Sequence, residues 1–118
     1  MSAIRFFFTR IDERVNEAGT RIVVSDLTRL ECLVNPLRHA DTARLKQFEL
    51  FFGASDLTIV GCPGSVFSRA TELRARHGLK TPDALHLAAA IEAGCEELWT
   101  NDTRLDTAAS DHLRTVSF

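Results

Sequence analysis

LKTPDALHLAAAI, at residues 79–91, is the stretch that decides the fold of this chain, and Gly94 follows it. Thr81 can cap a helix, Pro82 suits its first turn, and Gly94 suits the left-handed residue after its end. Almost every position between them is apolar, which predicts a buried central helix whose small side chains let neighbouring backbones approach. One carboxylate, Asp83, stands in its first turn. It either complements the helix dipole or marks the lip of a cleft.

The composition predicts one ordinary globular domain over residues 1–118. The chain is long enough for a single core, and a net charge of -2 gives no electrostatic footprint for nucleic acid, so such binding needs local basic groups or metal ions. Three widely spaced cysteines argue against a disulfide framework or a zinc site and favour a reducing cytoplasm. Residues 1–8 are too short an apolar run for a signal peptide or a membrane-spanning helix, so no membrane partner is expected.

Strand and helix patterns alternate along the chain. The predicted strands are Arg21–Ser25, Leu57–Val60, Glu97–Thr100 and Leu113–Phe118. The predicted helices run from about Leu27 towards Pro36 after a Ser25 or Asp26 cap, from the Asp41 cap to Gly53 with Leu45, Phe48 and Phe52 inward, and from Val66 to His77 with Phe67, Ala70 and Leu73 inward. Such alternation predicts an α/β fold with a mostly parallel sheet covered on both faces. The run Leu57–Val60 is apolar throughout, as in a strand buried on both faces.

The N-terminal segment has two interpretations. Ile4, Phe7, Phe8, Ile11 and Val15 share one helical face, which predicts an amphipathic helix ending near residue 19. The run Ile4–Phe8 could instead form a strand. The helical interpretation is preferred because the apolar spacing extends over three turns.

Carboxylates converge on one predicted sheet edge. Asp102 follows the strand 97–100, and Glu31 lies on the helix that follows the strand 21–25, so both belong to the carboxyl ends of parallel strands, where ligands bind. Asp83 reaches that edge only if residues 77–80 form a tight turn between two helices. Glu31 also interrupts the apolar stripe of Leu27, Leu30 and Val34; it either reaches water at the helix edge or pairs with Arg29 or another base.

Two or three carboxylates at one edge repel one another unless a cation lies between them. Oxygen ligands of this kind suit Mg²⁺ or Mn²⁺, which can activate water and stabilise a phosphodiester transition state. Thr100 and Asn101 are candidates to orient that water or a phosphate, although Asp102 alone could simply form an Asx-turn. His86 is expected to be a packed, hydrogen-bonded core residue. Surface cations available for phosphate contact are Arg29, Arg38, Lys80 and Arg104.

Three segments together resemble PIN-domain ribonucleases, and most of all the VapC-like toxins of bacterial toxin–antitoxin pairs. They are SDLTRLE at residues 25–31, TPDALHLA at 81–88 and WTND at 99–102. The resemblance implies a PIN-like three-layer α/β/α domain in which Glu31, Asp83 and Asp102 hold Mg²⁺ or Mn²⁺. It further implies a metal-dependent endoribonuclease acting on RNA, a cognate antitoxin, and a homodimer.

The chain departs from this family at its start. PIN domains usually begin with a central apolar strand that ends in the first aspartate of the site, and no such strand precedes Arg21. Asp12 lies within the predicted helix. The sequence therefore predicts a domain that is N-terminally truncated relative to the family and unstable unless residues 4–8 replace the strand. Two other functions stay open: a non-catalytic remnant or decoy that binds an antitoxin or a homologous toxin, and a different acid-patch metal phosphatase.

Overall fold

Five strands and five helices make up the computed structural model, which describes residues 7–11, 20–100 and 102–117. In chain order they are β1 (Phe7–Ile11), β2 (Thr20–Ser25), α1 (Asp26–Arg38), α2 (Thr42–Phe52), β3 (Leu57–Val60), α3 (Gly64–His77), α4 (Thr81–Glu92), β4 (Glu97–Trp99), α5 (Leu105–Ala109) and β5 (Arg114–Val116). The expected alternation of strands and helices is confirmed.

The sheet has the order β3-β2-β1-β4-β5. β2 pairs in parallel with β3, and β4 pairs in parallel with β5, while β1 runs antiparallel to both β2 and β4. Four strands therefore point the same way around one that opposes them. As a result β2 and β4 end at the same edge of the sheet, as the sequence predicts.

Helices cover both faces of the sheet. Successive residues of a strand point to opposite faces, so Val23 and Val24 enter different cores. Val23 belongs to the larger core, which is built with α3, α4 and α5, whereas Val24 packs with Cys32 of α1 and Phe48 and Phe52 of α2. All these side chains are buried. The arrangement is the expected three-layer α/β/α architecture.

Helix α1 begins at Ser25, whose hydroxyl accepts a hydrogen bond from the backbone N–H of Thr28 at 3.3 Å. Its buried face is not the predicted stripe of Leu27, Leu30 and Val34, because Leu30 is 58% exposed. The inward residues are Thr28, Cys32 and Pro36, four apart. The helix is rotated in this way because Cys32 packs against Val24 and the phenylalanines of α2.

Helices α3 and α4 are joined by the tight turn on which the position of Asp83 depends. α3 ends at Gly78, which takes the left-handed conformation at φ 66°, and the Nε of Arg74 donates to the Leu79 carbonyl at 2.8 Å. The cap of α4 is Lys80, without a side-chain hydrogen bond, so Thr81 is the first helical residue and not the predicted cap. The turn reverses the chain and brings the start of α4 to the edge where β2 and β4 end.

The N-terminal helix predicted from Ile4 to Val15 is wrong over residues 7–11, which form β1. Phe8 pairs with Val23 on one side and with Leu98 on the other, so β1 occupies the central position of the sheet. Backbone pairing on two sides outweighs the helical spacing, since unpaired buried peptide groups are costly. The alternative strand is confirmed for Phe7 and Phe8; the other residues of the predicted helix lie outside the described residues.

Smaller differences concern packing and element ends. β3 lies at a sheet edge and is only half-buried, so the prediction of a strand covered on both faces is wrong. Phe67 of α3, predicted to point inward, is 53% exposed, and its neighbour Val66 is buried instead. Helix α5, which buries Leu105, Ala108 and Ala109, was not predicted. Within the described ranges, no helix combines the length and the apolar character needed to cross a membrane.

Candidate functional site

The site lies at the sheet edge where β2 and β4 end, and three segments reach it. Residues 26–31 follow β2, Thr100 and residues 102–104 follow β4, and residues 83–86 belong to the first turns of α4. β1 runs in the opposite direction, so its own end, Ile11, lies at the other edge. The predicted absence of a first aspartate stays a prediction, because Asp12 lies outside the described residues.

Asp83 and Asp102 are brought together around one arginine. The Arg104 Nη2 lies 2.5 Å from Oδ2 of Asp102 and 3.8 Å from Oδ2 of Asp83, while its Nε donates to Oδ1 of Asp102 at 2.9 Å. The Asp83 side chain is 12% exposed and that of Asp102 is 14% exposed, whereas the arginine is 59% exposed. Two largely desolvated carboxylates therefore share one solvent-exposed cation.

The turn after β4 fixes the position of Asp102. The buried Thr100 hydroxyl accepts a hydrogen bond from the Asp102 N–H at 3.0 Å, and the Asp102 carboxylate accepts one from the Arg104 N–H at 3.0 Å. The second bond is the predicted Asx-turn, and it is present together with the ion pair. By binding the backbone N–H of Asp102, the Thr100 hydroxyl thus orients the Asp102 carboxylate. Asn101 lies outside the described residues, and its predicted role stays a prediction.

The Arg104 guanidinium is firmly protonated. Its pKa is raised above the ordinary value by the hydrogen bond to Asp102, then by the charge of Asp102, with a smaller contribution from the charge of Asp83. Both acids thus act on the same positive charge. A positive charge therefore lies beside both carboxylates and offsets their mutual repulsion.

Glu31 contacts a different base. Its Oε1 lies 2.7 Å from Nε2 of His86, and Nδ1 of the same imidazole lies 3.4 Å from the Thr28 hydroxyl. His86 is 1% exposed, and the Glu31 side chain is 38% exposed. The expectation that Glu31 pairs with a base is confirmed, with His86 and not Arg29 as the partner. His86 is the packed, hydrogen-bonded residue that the sequence predicts.

No three histidine, cysteine, aspartate or glutamate side chains among residues 7–11, 20–100 and 102–117 are arranged to hold a metal ion. The structure unites Asp83 and Asp102 and directs Glu31 to His86, so a shared site for all three stays a prediction. The acid pair fits Mg²⁺ or Mn²⁺ in donor chemistry, because such ions need only one or two carboxylates besides water and phosphate. Arg29, Arg38 and Lys80 are exposed.

Comparison with protein families decides the classification. The family model described as "PIN domain" matches residues 4–110, which is most of the chain. The chain belongs to the PIN domain family. No curated protein matches the sequence closely enough to count.

Membership in the PIN domain family places the chain in a family of nucleases that generally use Mg²⁺ or Mn²⁺. The three segments that carried the resemblance all lie within the matched residues. In this PIN domain Asp83, at the start of α4, and Asp102, after β4, both lie near Arg104, and their role in a metal site stays a prediction.

Sequence reasoning missed two relationships in this PIN domain. It did not pair Glu31 with His86, although His86 stands three residues after Asp83 and therefore on the same side of α4. It treated Arg104 as a surface cation, although a basic residue two positions after an aspartate can fold back on it in a turn. Only the fold brings Glu31 within reach of His86, whereas the contact between Arg104 and Asp102 is short-range.

Proposed function

We propose that this PIN domain is a metal-dependent endoribonuclease that serves as the toxin of a toxin–antitoxin pair. The observation that carries the proposal is the pairing of Asp83 and Asp102 around a single positive charge, at the sheet edge where the family resemblance puts the metal. Keeping two desolvated carboxylates close together costs free energy, and a cation-dependent reaction would explain why the protein has them.

Asp83 and Asp102, with Glu31, would hold Mg²⁺ or Mn²⁺. Such an ion supplies a water nucleophile at neutral pH and stabilises the charge that develops on the phosphodiester. The residues of the chain position the acids: Thr100 fixes the turn that carries Asp102, and His86 fixes the Glu31 carboxylate.

The experiment is cleavage of a mixed-sequence RNA with Mg²⁺ or Mn²⁺, followed by gel electrophoresis. Wild type is expected to cleave, and Asp83→Asn and Asp102→Asn to lose about a hundredfold or more in rate, since each removes a charge from the acid pair. Asp106→Asn is the matched control, because Asp106 is an exposed acid of the neighbouring α5. Equal cleavage by wild type and Asp83→Asn contradicts the proposal. Faster turnover of a phosphomonoester than of RNA would instead identify the metal phosphatase.

The partners are proposed on the family resemblance. A cognate antitoxin with a basic tail would pair with the acid edge, and the toxin would form a homodimer, as expected for VapC-like proteins. Co-purification from native cells followed by mass spectrometry tests both. Recovery of a lone monomer with no small basic-tailed protein contradicts this part of the proposal and leaves the nuclease activity to the assay above.

A non-catalytic binding module is the second candidate. It is favoured by one observation: β1 runs antiparallel to β2 and β4, so its end at Ile11 lies at the edge opposite to Asp83 and Asp102. Such a remnant or decoy would bind an antitoxin or a homologous toxin without cutting RNA. Stable complex formation with no metal-dependent cleavage by wild type would identify this function.

A further inference from the structure

Arg104 contacts the acid pair through two of its nitrogen atoms. Both its Nε and Nη2 reach Asp102, at 2.9 Å and 3.2 Å from Nε to the two carboxylate oxygens and 2.5 Å from Nη2 to Oδ2. The same Nη2 lies 3.8 Å from Asp83. Forked arginine–carboxylate contacts of this kind are strong and geometrically specific.

The guanidinium uses the oxygens that a divalent cation would need. Mg²⁺ and Mn²⁺ bind carboxylate oxygens directly, and Oδ2 of Asp102 and Oδ2 of Asp83 are the atoms that Nη2 approaches. An arginine and a metal ion in the same place also repel each other electrostatically. The two cations therefore exclude one another at this pair.

Among the described residues, the ion pairs of Arg104 are those with the two acids, so Arg104 can leave once they bind another cation. Its side chain is 59% exposed and stands on the turn before α5, so its release into water uncovers no core. The two acids stay where they are, since Asp83 belongs to the buried α4 and Asp102 is bound to Thr100. A cation exchange at this site thus requires the movement of one exposed side chain.

We propose that Arg104 is an intramolecular competitor of the divalent cation: it occupies Asp83 and Asp102 in the metal-free protein, and metal binding displaces it. The inference rests on the proposed function, of which it describes the regulation. The acid pair is then occupied by a side chain of the same protein until the metal concentration is high enough to displace it.

The test is calorimetric titration of Mn²⁺ alone, without RNA, into wild type and Arg104→Gln. Loss of the competitor is expected to lower the Mn²⁺ dissociation constant by about fivefold, the effect of a favourable exposed ion pair. Arg114→Gln is the matched control: Arg114 on β5 is 74% exposed and pairs with Glu97 on β4, and its substitution removes the same charge away from the acid pair. Its dissociation constant should equal that of wild type. Arg104→Lys, which keeps the charge but loses the fork, should fall between wild type and Arg104→Gln.

The outcomes separate this inference from the proposed function. Equal dissociation constants for wild type and Arg104→Gln overturn the competition and leave the metal site intact. The same tightening in Arg114→Gln also overturns it, because the effect is then one of net charge. Absence of Mn²⁺ binding in every variant overturns both the competition and the proposed metal centre. A melting curve for each variant verifies folding, and Arg104→Lys provides the comparison if Arg104→Gln is unfolded.

Discussion

His86 Nε2 on α4 and Glu31 Oε1 on α1 lie 2.7 Å apart, and this contact joins the two helical layers at the acidic edge of the sheet. α1 packs on the face of Val24 and α4 on the face of Val23. The imidazole is buried, so the carboxylate that it holds has a defined position although 38% of that side chain meets solvent. The contact is thus both a structural link and a means of aiming Glu31.

The Glu31–His86 contact should be energetically coupled. His86→Ala alone is expected to cost about 2–4 kcal/mol, because it removes a large buried side chain. A cycle of Glu31→Ala, His86→Ala and the double variant should give a coupling of about 0.5–1.5 kcal/mol, the net value of one hydrogen bond at a partly exposed carboxylate. Urea unfolding measures it. Costs that add within about 0.3 kcal/mol would show that the two residues are independent.

Metal ions should stabilise the protein through Asp83. A ligand present at about 100 times its dissociation constant stabilises the folded state by about 2.7 kcal/mol, so saturating Mn²⁺ should raise the melting temperature of wild type. Asp83→Asn preserves shape and removes one ligand charge, and its melting temperature should stay unchanged by Mn²⁺. Asp111→Asn, at an exposed turn, is the control and should respond as wild type does. A shift of the same size in Asp83→Asn would refute the assignment.

Leu98 should be among the most sensitive core positions. It is fully buried on β4 between the central strand and β5, so Leu98→Ala is expected to cost about 2–5 kcal/mol in the free energy of unfolding. Leu50→Ala on α2, where the side chain is 70% exposed, should change stability by about 0.5 kcal/mol or less. Chemical denaturation of both variants gives the comparison. Similar losses at the two positions would contradict the packing described for β4.

Stability should fall between about pH 9 and pH 11 because of Cys32. Burial, aided by the charge of Glu31, raises the pKa of this thiol from 9.0 to about 11. The folded state therefore keeps the proton in a range where the unfolded chain releases it, and the loss of stability reaches at most about 3 kcal/mol. The chain has no tyrosine and two lysines, but burial also raises the pKa of the Cys62 thiol, so Cys62→Ala is measured alongside as a control. Urea unfolding across this range should show a smaller decline for Cys32→Ala; parallel pH profiles would rule out the thiol.

Local signals predicted the elements that local physics controls. Ser25 and Asp41 cap α1 and α2 as expected, because a cap is formed by atoms three residues away. The turn at residues 77–80, named beforehand as the condition for Asp83 to reach the edge, is also local, since Gly78 supplies its left-handed residue. Glu31 and Asp102 could be chosen from their places after strands, whereas Asp83 could be chosen only from the family resemblance.

What the sequence could not predict depends on distant partners. The segment around Phe7 and Phe8 has helical spacing, and it forms a strand because β2 and β4 offer hydrogen bonds on both sides. The inward face of α1 is chosen by the phenylalanines of α2, which no pattern within α1 contains. Likewise, no spacing within α1 predicts that Glu31 meets an imidazole 55 residues further along the chain.

The position of Asp102 and Arg104 in chain order has a consequence for synthesis. Asp83 is translated 19 positions before Asp102, and the acid pair and its arginine can meet only after β4 has taken its place beside β1. A nascent chain that has not reached residue 102 holds Asp83 without either partner. The second carboxylate and the cation that pairs with it are therefore added to the chain only two positions apart, long after Asp83.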